Sequence, residues 1–456
     1  MTSNASRRAF LQRASALSIA GVAAPWALNL AAMGEAAAAT ATDYKALVCV
    51  FLYGGNDYGN TLIPYDNARY ALYQGMRPTL AYVQNALTPT LLTPSTALPG
   101  GIQYAMAPEL SPLLPMFNAG RMGVILNVGT LVQPTTKAQY TANSVPLPPK
   151  LFSHNDQQSV WQSSSPEGAT SGWGGRMGDL FAAGNSNATF TCVNVSSNAV
   201  FLSGKQAVQY QVSTSGPVAL TAAKSLFGST ACAAALQQLI TAQRANLFES
   251  EYNKVMSRSL SAGGQLSTAL AGGTPLTTVF PTGNSLADQL KLVARMIGTS
   301  NEVGAKRQVF FVSLGGFDNH DGLAAIHPGL LTTVANALSA FYAATTELGV
   351  ANQVTTFTAS DFGRTLTAND GSDHGWGSMH FMLGGAVNGG RFYGIAPIVA
   401  NDGPDDVGQG RLLPSTSVDQ YAATLGKWFG ISDTDLLTVL PNLVNWNANQ
   451  RTLGFV

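Results

Sequence analysis

Five apolar runs along the chain are rich in β-branched and aromatic residues, and each ends close to Gly, Asn or Asp. They are Ala46–Tyr53, Met122–Val128, Thr189–Val195, Gln308–Leu314 and Val354–Thr358. Their apolar positions are mostly consecutive rather than alternating, which is typical of strands covered on both faces of a parallel sheet. The runs therefore predict the strands of a buried, mostly parallel sheet.

Helical patterns lie between these runs. Apolar residues recur at helical spacing in Ser285–Gly298, and the other helical segments are Ala107–Ala119, Ala231–Ser257 and Ile326–Leu348. Strands that alternate with helices indicate parallel strands joined by crossovers, so we predict an α/β fold. Residues 78–101, 196–228 and 259–283 lack clear periodicity and are predicted to be insertions or long connections.

The N-terminus has the pattern of a twin-arginine export signal over residues 1–39. Arg7 and Arg8 precede a weakly hydrophobic, Ala-rich stretch, and small residues provide a cleavage site after Ala39. A short membrane anchor is the alternative, but Pro25 and Asn29 interrupt the apolar stretch. We therefore predict that the Tat export machinery transports the folded protein to the periplasm or out of the cell.

The remaining residues, 40–456, suit a single α/β domain with an inserted or cap region at about 185–285. Only 11% of the residues are charged, and 24 Lys and Arg balance 24 Asp and Glu over the full chain. The signal holds more basic than acidic residues, so the exported part is slightly acidic. It has no excess of positive charge that would favour binding to nucleic acid or anionic lipid. No segment after the signal has 18 consecutive apolar residues, so we expect no stable membrane span.

The three cysteines cannot form a complete disulfide framework, because their number is odd. Cys49 lies in an apolar run and is predicted to be a buried thiol. Cys192 and Cys232 could pair in an oxidising compartment, and the sequence leaves this pairing open. None of the three has the spacing of a metal-binding finger.

Polar loops follow the predicted strands, and open α/β sheets bind their ligands at the carboxyl ends of strands. These loops carry a group of carboxylate, imidazole and guanidinium side chains: Asp57, Asp318, His320, Asp361, Arg364, Asp373, His374 and His380. Carboxylates and neutral imidazoles together suit zinc, or manganese with more oxygen ligands, and two such ions would clamp an anionic ester. We predict a site for one or two divalent ions. The alternative is a set of ordinary turns, because Asp, Asn and Gly all favour turns.

Ser153 and His154 form a second candidate group, in a segment that continues to Trp161. They could supply a nucleophile, a proton shuttle or a further metal ligand, or Ser153 or Asn155 could cap a helix. Arg364 suits bidentate binding of phosphate, sulfate or carboxylate, and an ion pair with a loop Asp is the alternative. His327 precedes a proline at a predicted helix start and is interpreted as structural.

Several common catalytic motifs are absent from the sequence. It has no G-x-S-x-G segment, which weakens an interpretation as an α/β-hydrolase. It has neither a G-x-x-x-x-G-K-[ST] loop nor a G-x-G-x-x-G segment, so a nucleotide cofactor is not indicated.

The motifs resemble those of a known family. Residues 51–57, 152–154, 316–320, 360–365 and 372–377, with the twin-arginine signal, are similar to the bacterial domain-of-unknown-function family 1501 (DUF 1501). The resemblance covers essentially the whole exported part, in the order of the family. That family is grouped with the alkaline phosphatase and sulfatase superfamily. The resemblance therefore implies an alkaline phosphatase-like α/β/α sandwich with a mostly parallel central sheet and insertions.

The metal site of that superfamily can be carried over to the matching positions. The resemblance implies a set of metal ligands, with two further residues nearby: Asp57, Asp318, His320, Asp361 and His374, then Asp373 and His380. It also implies that Ser153 is the nucleophile. Phe362 stands where the phosphatases have a His ligand, which argues against a complete second metal site. The sulfatase segment of Cys or Ser followed by x-Pro-x-Arg is absent around the cysteines, so a modified-cysteine nucleophile is not expected.

The sequence thus predicts an exported metal-dependent hydrolase of phosphate or sulfate esters, acting on a small-molecule or polymer-borne anionic ester. Ser153 or a metal-activated water would attack the ester, and His154 and Arg364 would stabilise the anion. The alternative is a non-catalytic exported binding or assembly protein that retains the α/β shell.

Overall fold

A computed structural model describes residues 41–218 and 220–456, and the predicted export signal lies outside these residues. The strands of the described part are β1 Lys45–Leu52, β2 Leu62–Pro64, β3 Tyr104–Met106, β4 Met122–Gly129, β5 Cys192–Asn194, β6 Tyr210–Ser213, β7 Gly216–Pro217, β8 Arg307–Leu314, β9 Val354–Ser360, β10 Ser378–Gly384, β11 Phe392–Tyr393 and β12 Thr416–Ser417.

The α-helices of the described part lie mainly between these strands. They are α1 Asn67–Met76, α2 Leu114–Asn118, α3 Lys137–Ala142, α4 His154–Ser163, α5 Trp173–Phe181, α6 Thr230–Thr241, α7 Leu247–Gly272, α8 Ser285–Gly298, α9 Leu323–Glu347, α10 Val418–Phe429 and α11 Asp433–Val439.

One ten-stranded sheet organises the molecule, in the order β11-β4-β10-β9-β1-β8-β5-β6-β7, with β12 also paired to β4. Strand β1 runs parallel to both neighbours, so that Val48 lies opposite Phe310 of β8 and Thr356 of β9. Strand β10 is antiparallel to both β9 and β4. All five predicted strands are present and most pairs are parallel, which confirms the predicted α/β fold with a mostly parallel central sheet.

The two faces of the sheet bury separate clusters of side chains. On β1, Val48 and Val50 contribute to one cluster, which includes residues of α8 and α9. Leu47 and Cys49 contribute to the other, which includes residues of α5, α10 and α11. Because successive strand residues point to opposite faces, a strand covered on both sides must be apolar throughout. The molecule is therefore the predicted α/β/α sandwich.

The helical segment over 230–272 differs from its prediction. The predicted helix over 231–257 is two helices, because the chain breaks after α6 and Asn246 caps the start of α7. The predicted connection over 259–283 is wrong for its first half, which continues α7 to Gly272. Ala262, Leu266 and Ala269 are buried at helical spacing, so packing outweighs the low helix propensity of the nearby Gly and Ser.

All three cysteines are free thiols in the structure. Cys49 is buried, as predicted, and so is Cys192, whereas Cys232 is exposed. Cys192 lies in β5 and Cys232 lies in α6, and no disulfide joins them. The pairing that the sequence left open is therefore not formed.

Helix α9 is the one helix in the described ranges that is long and apolar enough, by length and composition, to cross a membrane. It packs against α8 and against the short helix Pro108–Leu113. Its Leu331, Val334 and Leu338 belong to the core cluster on one face of the sheet.

A buried ion pair joins the end of α1 to the loop after β1. Arg77 donates from Nη1 to Asp57 Oδ1 and from Nη2 to Asp57 Oδ2, both at 2.8 Å, and the two side chains are 0% and 1% exposed. Its other donors bind Asn60 Oδ1 and the carbonyl oxygens of Leu366 and Thr365. Burial alone raises the pKa of Asp57, but the charge and hydrogen bonds of Arg77 outweigh it and leave that pKa below its ordinary value. Asp57 therefore stays ionised inside the protein.

Replacement of Arg77 by Ala would leave the Asp57 carboxylate buried without its counter-ion, so we expect the free energy of unfolding to fall by about 3–5 kcal/mol. Urea unfolding of metal-free protein at neutral pH measures this loss. Because the folded-state pKa of Asp57 is lowered, the contribution of the pair is present above the unfolded-state pKa and is lost as pH falls through the folded-state pKa. The difference between wild type and Arg77→Ala should therefore shrink in acid.

The matched control is Lys254→Ala, which breaks the exposed Lys254–Glu251 pair on α7. Exposed pairs contribute little, so this variant should unfold like wild type. An Arg77→Ala protein as stable as the Lys254→Ala protein would contradict the structural role of the buried pair.

Candidate metal centre

The loops after β1, β8 and β9 begin at one edge of the sheet. Leu52 lies opposite Leu314 of β8 and Ser360 of β9 in the parallel register. The next residues of all three strands therefore leave the sheet side by side. This is the position at which α/β sheets bind their ligands, and it places Asp318 and Asp361 close to each other.

Glycines allow these loops to approach closely. Gly54 has φ 112°, and a Cβ atom there would lie 2.4 Å from the backbone nitrogen of Asp318. A Cβ on Gly371 would lie 2.1 Å from the carbonyl carbon of His320. Gly54 requires the backbone freedom of glycine, and both positions require its lack of a side chain.

His154 reaches the same edge from another direction. It is the first residue of α4, and Phe152, two residues before it, has φ 71°, an uncommon value for a residue with a side chain. Backbone strain of this kind often marks a functional site. Here the turn places the imidazole of His154 beside Asp361 and His374.

Three ligand-type atoms converge at this edge. His154 Nε2 lies 3.0 Å from His374 Nε2 and 3.3 Å from Asp318 Oδ1, and His374 Nε2 lies 3.3 Å from the same oxygen. His320 lies beside Asp318 and His374. Its Nε2 is 3.1 Å from Asp318 Oδ1 and 2.9 Å from His374 Nε2. We call His154, Asp318 and His374 the triad, and the triad with His320 the cluster.

The outer nitrogen of each imidazole has its own acceptor. His154 Nδ1 lies 2.6 Å from Asp361 Oδ2, and His320 Nδ1 lies 3.0 Å from Asp373 Oδ1. His374 Nδ1 lies 2.7 Å from the carbonyl oxygen of Phe152.

Carbonyl and carboxylate oxygens can only accept, so each Nδ1 carries the proton, and a neutral imidazole then has a bare lone pair on Nε2. When all three imidazoles are neutral, three lone pairs and a carboxylate oxygen face one another, and a divalent cation among them would stabilise this arrangement.

The charges of the triad are set by its surroundings. The hydrogen bond to Asp361 raises the pKa of His154, whereas burial lowers the pKa of His374. Burial raises the pKa of Asp318, but the hydrogen bond and charge of Arg364 outweigh it and leave the pKa below its ordinary value. An ionised Asp318 beside a neutral His374 is the protonation state that a divalent cation prefers.

The separations within the triad match metal coordination. Ligand atoms about 2.0–2.2 Å from a tetrahedral zinc ion lie about 3.4 Å from one another. The triad therefore has the dimensions of one face of a coordination tetrahedron and could hold a metal ion. The side chains of Asp318 and His320 are 47% and 46% exposed, so this face is open to solvent.

Asp361 and Asp373 surround the cluster rather than join it. Asp361 is completely buried, and its Oδ2 accepts from His154 Nδ1, from Gln158 Nε2 at 2.7 Å and from the backbone of Gly54 at 3.2 Å. Asp373 binds the outer nitrogen of His320. Both carboxylates were predicted as metal ligands or close neighbours, and the structure places them as partners that orient the histidines.

Asp57 and His380 lie apart from the cluster, in contrast to their prediction as ligands. Both oxygens of Asp57 are bound by Arg77. His380 lies inside β10, where its Nδ1 is 3.1 Å from Thr358 Oγ1, and burial lowers its pKa to about 3. Residue 380 was predicted to lie in a loop, because the glycines before it concealed an antiparallel strand.

Arg364 is also placed differently from its prediction as an anion-binding residue. It is completely buried, and each of its three nitrogens donates to the protein. The acceptors are the carbonyl oxygens of Gly55, Ser372, Gly54 and Phe317 and the carboxylate of Asp318. This guanidinium holds three loops together and orients Asp318, which is the ion pair that the sequence left open.

Ser153 directly precedes the ligand-type His154, at the N-cap position of α4. Its hydroxyl does not cap the helix but donates to Asp156 Oδ2 at 2.9 Å. His327, which was interpreted as structural, is buried in α9 with its Nε2 3.0 Å from Asn56 Oδ1, and burial lowers its pKa to about 4.

Three groups that hydrogen-bond to the triad histidines or to Asp361 were not predicted from the sequence. They are the carbonyl of Phe152, the amide of Gln158 and the guanidinium of Arg411, which donates from Nε to the carbonyl oxygen of His374 at 2.7 Å. Every residue has a backbone carbonyl, so the residue type at position 152 gives no signal for this hydrogen bond. Gln158 could have been found, because it lies one helical turn after His154 and hence on the same face of α4.

The model of the family described as "Protein of unknown function (DUF1501)" matches residues 44–440. The chain belongs to this family. No curated protein matches the chain.

Several solved structures are similar to this chain at low sequence identity. Two are described as Ps i-CgsB, one of them in complex with k-i-k-neocarrahexaose. They are 10% and 12% identical, with TM-scores of 0.35 and 0.34, and each match covers 89% of this chain and 78% of that chain. A third, whose description concerns the metabolism of multiple glycosaminoglycans by Bacteroides thetaiotaomicron, is 10% identical with a TM-score of 0.33, over 86% of this chain and 74% of that chain.

If the cluster is a metal site, the purified protein should bind one divalent ion per chain. His154→Ala and His374→Ala each remove a ligand, so metal affinity should fall by more than the about 10–100-fold that loss of a supporting residue produces. Competition with a chromophoric chelator measures the affinity. Asp321→Ala removes an exposed carboxylate next to His320 and is the matched control. Equal metal binding by all four proteins would contradict the assignment.

The supporting role of Asp373 can be tested separately, because its side chain is 62% exposed and its loss should not disturb the fold. Asp373→Ala removes the acceptor for His320 Nδ1, so we expect metal affinity to fall by about tenfold, with the stoichiometry unchanged. The same chelator competition measures it. Complete loss of the ion would instead identify Asp373 as a direct ligand.

Proposed function

We propose that this member of the DUF1501 family is an exported metal-dependent hydrolase of phosphate or sulfate esters. The observation that carries the proposal is the triad, in which His154 Nε2, His374 Nε2 and Asp318 Oδ1 lie 3.0–3.3 Å apart on a solvent-accessible face. Export to the periplasm or out of the cell remains a prediction from the N-terminal sequence.

The donor set favours zinc over manganese. Two or three imidazole nitrogens and one carboxylate oxygen suit a borderline ion, whereas manganese prefers more oxygen ligands. The proposal includes one ion only. Asp57 is neutralised by Arg77, so it is not free to complete a second site. Asp361 Oδ2 is engaged by His154 and Gln158, and its Oδ1 is buried without a hydrogen-bond partner among the described residues.

A bound divalent ion would supply a Lewis acid for the ester oxygen and would lower the pKa of water. Three protein ligands leave a position for a substrate, as in catalytic rather than structural zinc sites. His320 is half exposed beside the triad, and its Nε2 could serve as a fourth ligand.

The proposal assigns attack on the ester to the hydroxyl of Ser153. It adjoins His154 in sequence, and the Asp156 oxygen that binds its hydroxyl could accept its proton. Asp156 is itself buried, which keeps this carboxylate in place beside the hydroxyl. Water is the alternative nucleophile, and a serine variant separates the two.

The second candidate function is a non-catalytic exported binding or assembly protein. The observation that favours it is the complete engagement of Arg364 and Asp57 by the protein itself. Two residues that the sequence assigned to the chemistry of the site thus serve the fold. This candidate predicts metal binding without turnover of any ester.

The proposed activity can be tested with aryl phosphate monoesters, phosphate diesters and sulfate esters. Metal-free protein should be inactive, added zinc should restore hydrolysis, and His374→Ala should abolish it because the triad loses a ligand. Ser153→Ala should also abolish turnover if serine is the nucleophile, and should retain it if water attacks. Asp321→Ala is the control for general effects of the loop. Zinc-loaded protein that hydrolyses none of these esters would favour the binding function.

A further inference from the structure

We propose that Arg411 binds the anionic group of the ligand at the metal centre, a phosphate or sulfate group with tetrahedral oxyanion geometry. This inference rests on the proposed function, because it assumes an anionic ligand at the cluster. It assigns to Arg411 the role that the sequence suggested for Arg364.

Two contacts fix Arg411 next to the cluster. Its Nε donates to the carbonyl oxygen of His374 at 2.7 Å, and its guanidinium carbon lies 4.9 Å from the centre of the Phe152 ring. Phe152 in turn accepts a hydrogen bond from His374 Nδ1 through its carbonyl oxygen. Arg411 therefore touches one histidine of the triad and the residue that orients it.

The terminal nitrogens of Arg411 are available to a ligand. Nη1 has only the carbonyl oxygen of Gly408, at 3.4 Å, which is longer than an ordinary hydrogen bond. Nη2 has no hydrogen-bond partner, and no carboxylate pairs with this guanidinium, within the described residues. Arg364 is the contrast, because all three of its nitrogens donate to the protein.

The turn before Arg411 is held rigidly. Gly408, Gln409 and Gly410 have φ of 118°, 61° and 73°. Asp406 Oδ1 accepts from the backbone nitrogens of Gly408 at 2.7 Å and Gly410 at 2.8 Å. A residue on so constrained a turn loses little conformational freedom when it binds a ligand, which favours affinity.

The chemistry of a guanidinium fits this class of ligand. Its planar donors match two oxygens of a phosphate or sulfate, and it remains charged at every physiological pH. The cation–π contact with Phe152 holds the plane of the group while the side chain is only partly buried. A divalent ion at the triad and Arg411 beside it would bind one anion from two sides.

The test uses zinc-loaded full-length protein with inorganic phosphate and inorganic sulfate as the probes. Arg411→Ala and Arg411→Gln should weaken binding of the preferred anion by about 10–100-fold, because a hydrogen-bonded charge is lost. Arg411→Lys should retain part of the affinity. Zinc content should stay at the wild-type value in all three variants. Arg391→Ala, which removes an exposed arginine bonded to Ser95 Oγ, is the matched control and should bind as wild type.

Three results would overturn the inference. Unchanged anion affinity in Arg411→Ala would exclude contact with the anion. Loss of zinc in the Arg411 variants would show that the residue only holds His374. If the zinc-loaded wild-type protein binds neither anion, the assumption of a phosphate or sulfate ligand at the metal centre is wrong.

The outcome is separable from that of the proposed function. Arg411-dependent anion binding without turnover of any ester would contradict the hydrolase and leave this inference intact. Ester turnover with an unchanged KM in Arg411→Ala would support the hydrolase and contradict the role of Arg411.

Discussion

The arrangement at the edge of the sheet depends on one electrostatic constraint. His154, His320 and His374 each bind an acceptor through Nδ1, so their Nε2 lone pairs face one another and the oxygen of Asp318. Neutral imidazoles in these tautomers cannot hydrogen-bond to each other. A cation would satisfy all of them at once, and in the proposed metal centre the outer acceptors would orient the imidazoles towards it.

The fold maintains this unfavourable arrangement through backbone constraints. Gly54 admits the backbone of Asp318 at a distance that any side chain would block, and Phe152 is held at positive φ so that its carbonyl reaches His374. Arg364 crosses between the loops that follow β1, β8 and β9 and binds each of them. The parallel strands β1, β8 and β9 supply the common edge on which these elements meet.

The sequence predicted what is encoded locally and missed what depends on distant partners. The five strands and helix α8 follow from runs and spacings of apolar residues, and the strand-end loops follow from the strands. The assignment of Asp57 to the metal went wrong because its partner, Arg77, lies 20 residues later with no motif around it. Strand β10 and the second half of α7 were missed because Gly and Ser conceal elements that tertiary packing stabilises.

The three arginines near the loops show how the same side chain serves different purposes. Arg77 and Arg364 are completely buried and donate from every nitrogen, so each neutralises a carboxylate and fixes backbone carbonyls. Arg411 is partly exposed, and its Nε makes a short hydrogen bond to the carbonyl oxygen of His374. A buried guanidinium with every nitrogen bonded cannot respond to a ligand without breaking the fold, whereas one with free donors can. Residue type alone does not distinguish these arginines, since only burial and partner geometry separate a structural guanidinium from one with donors available to an anion.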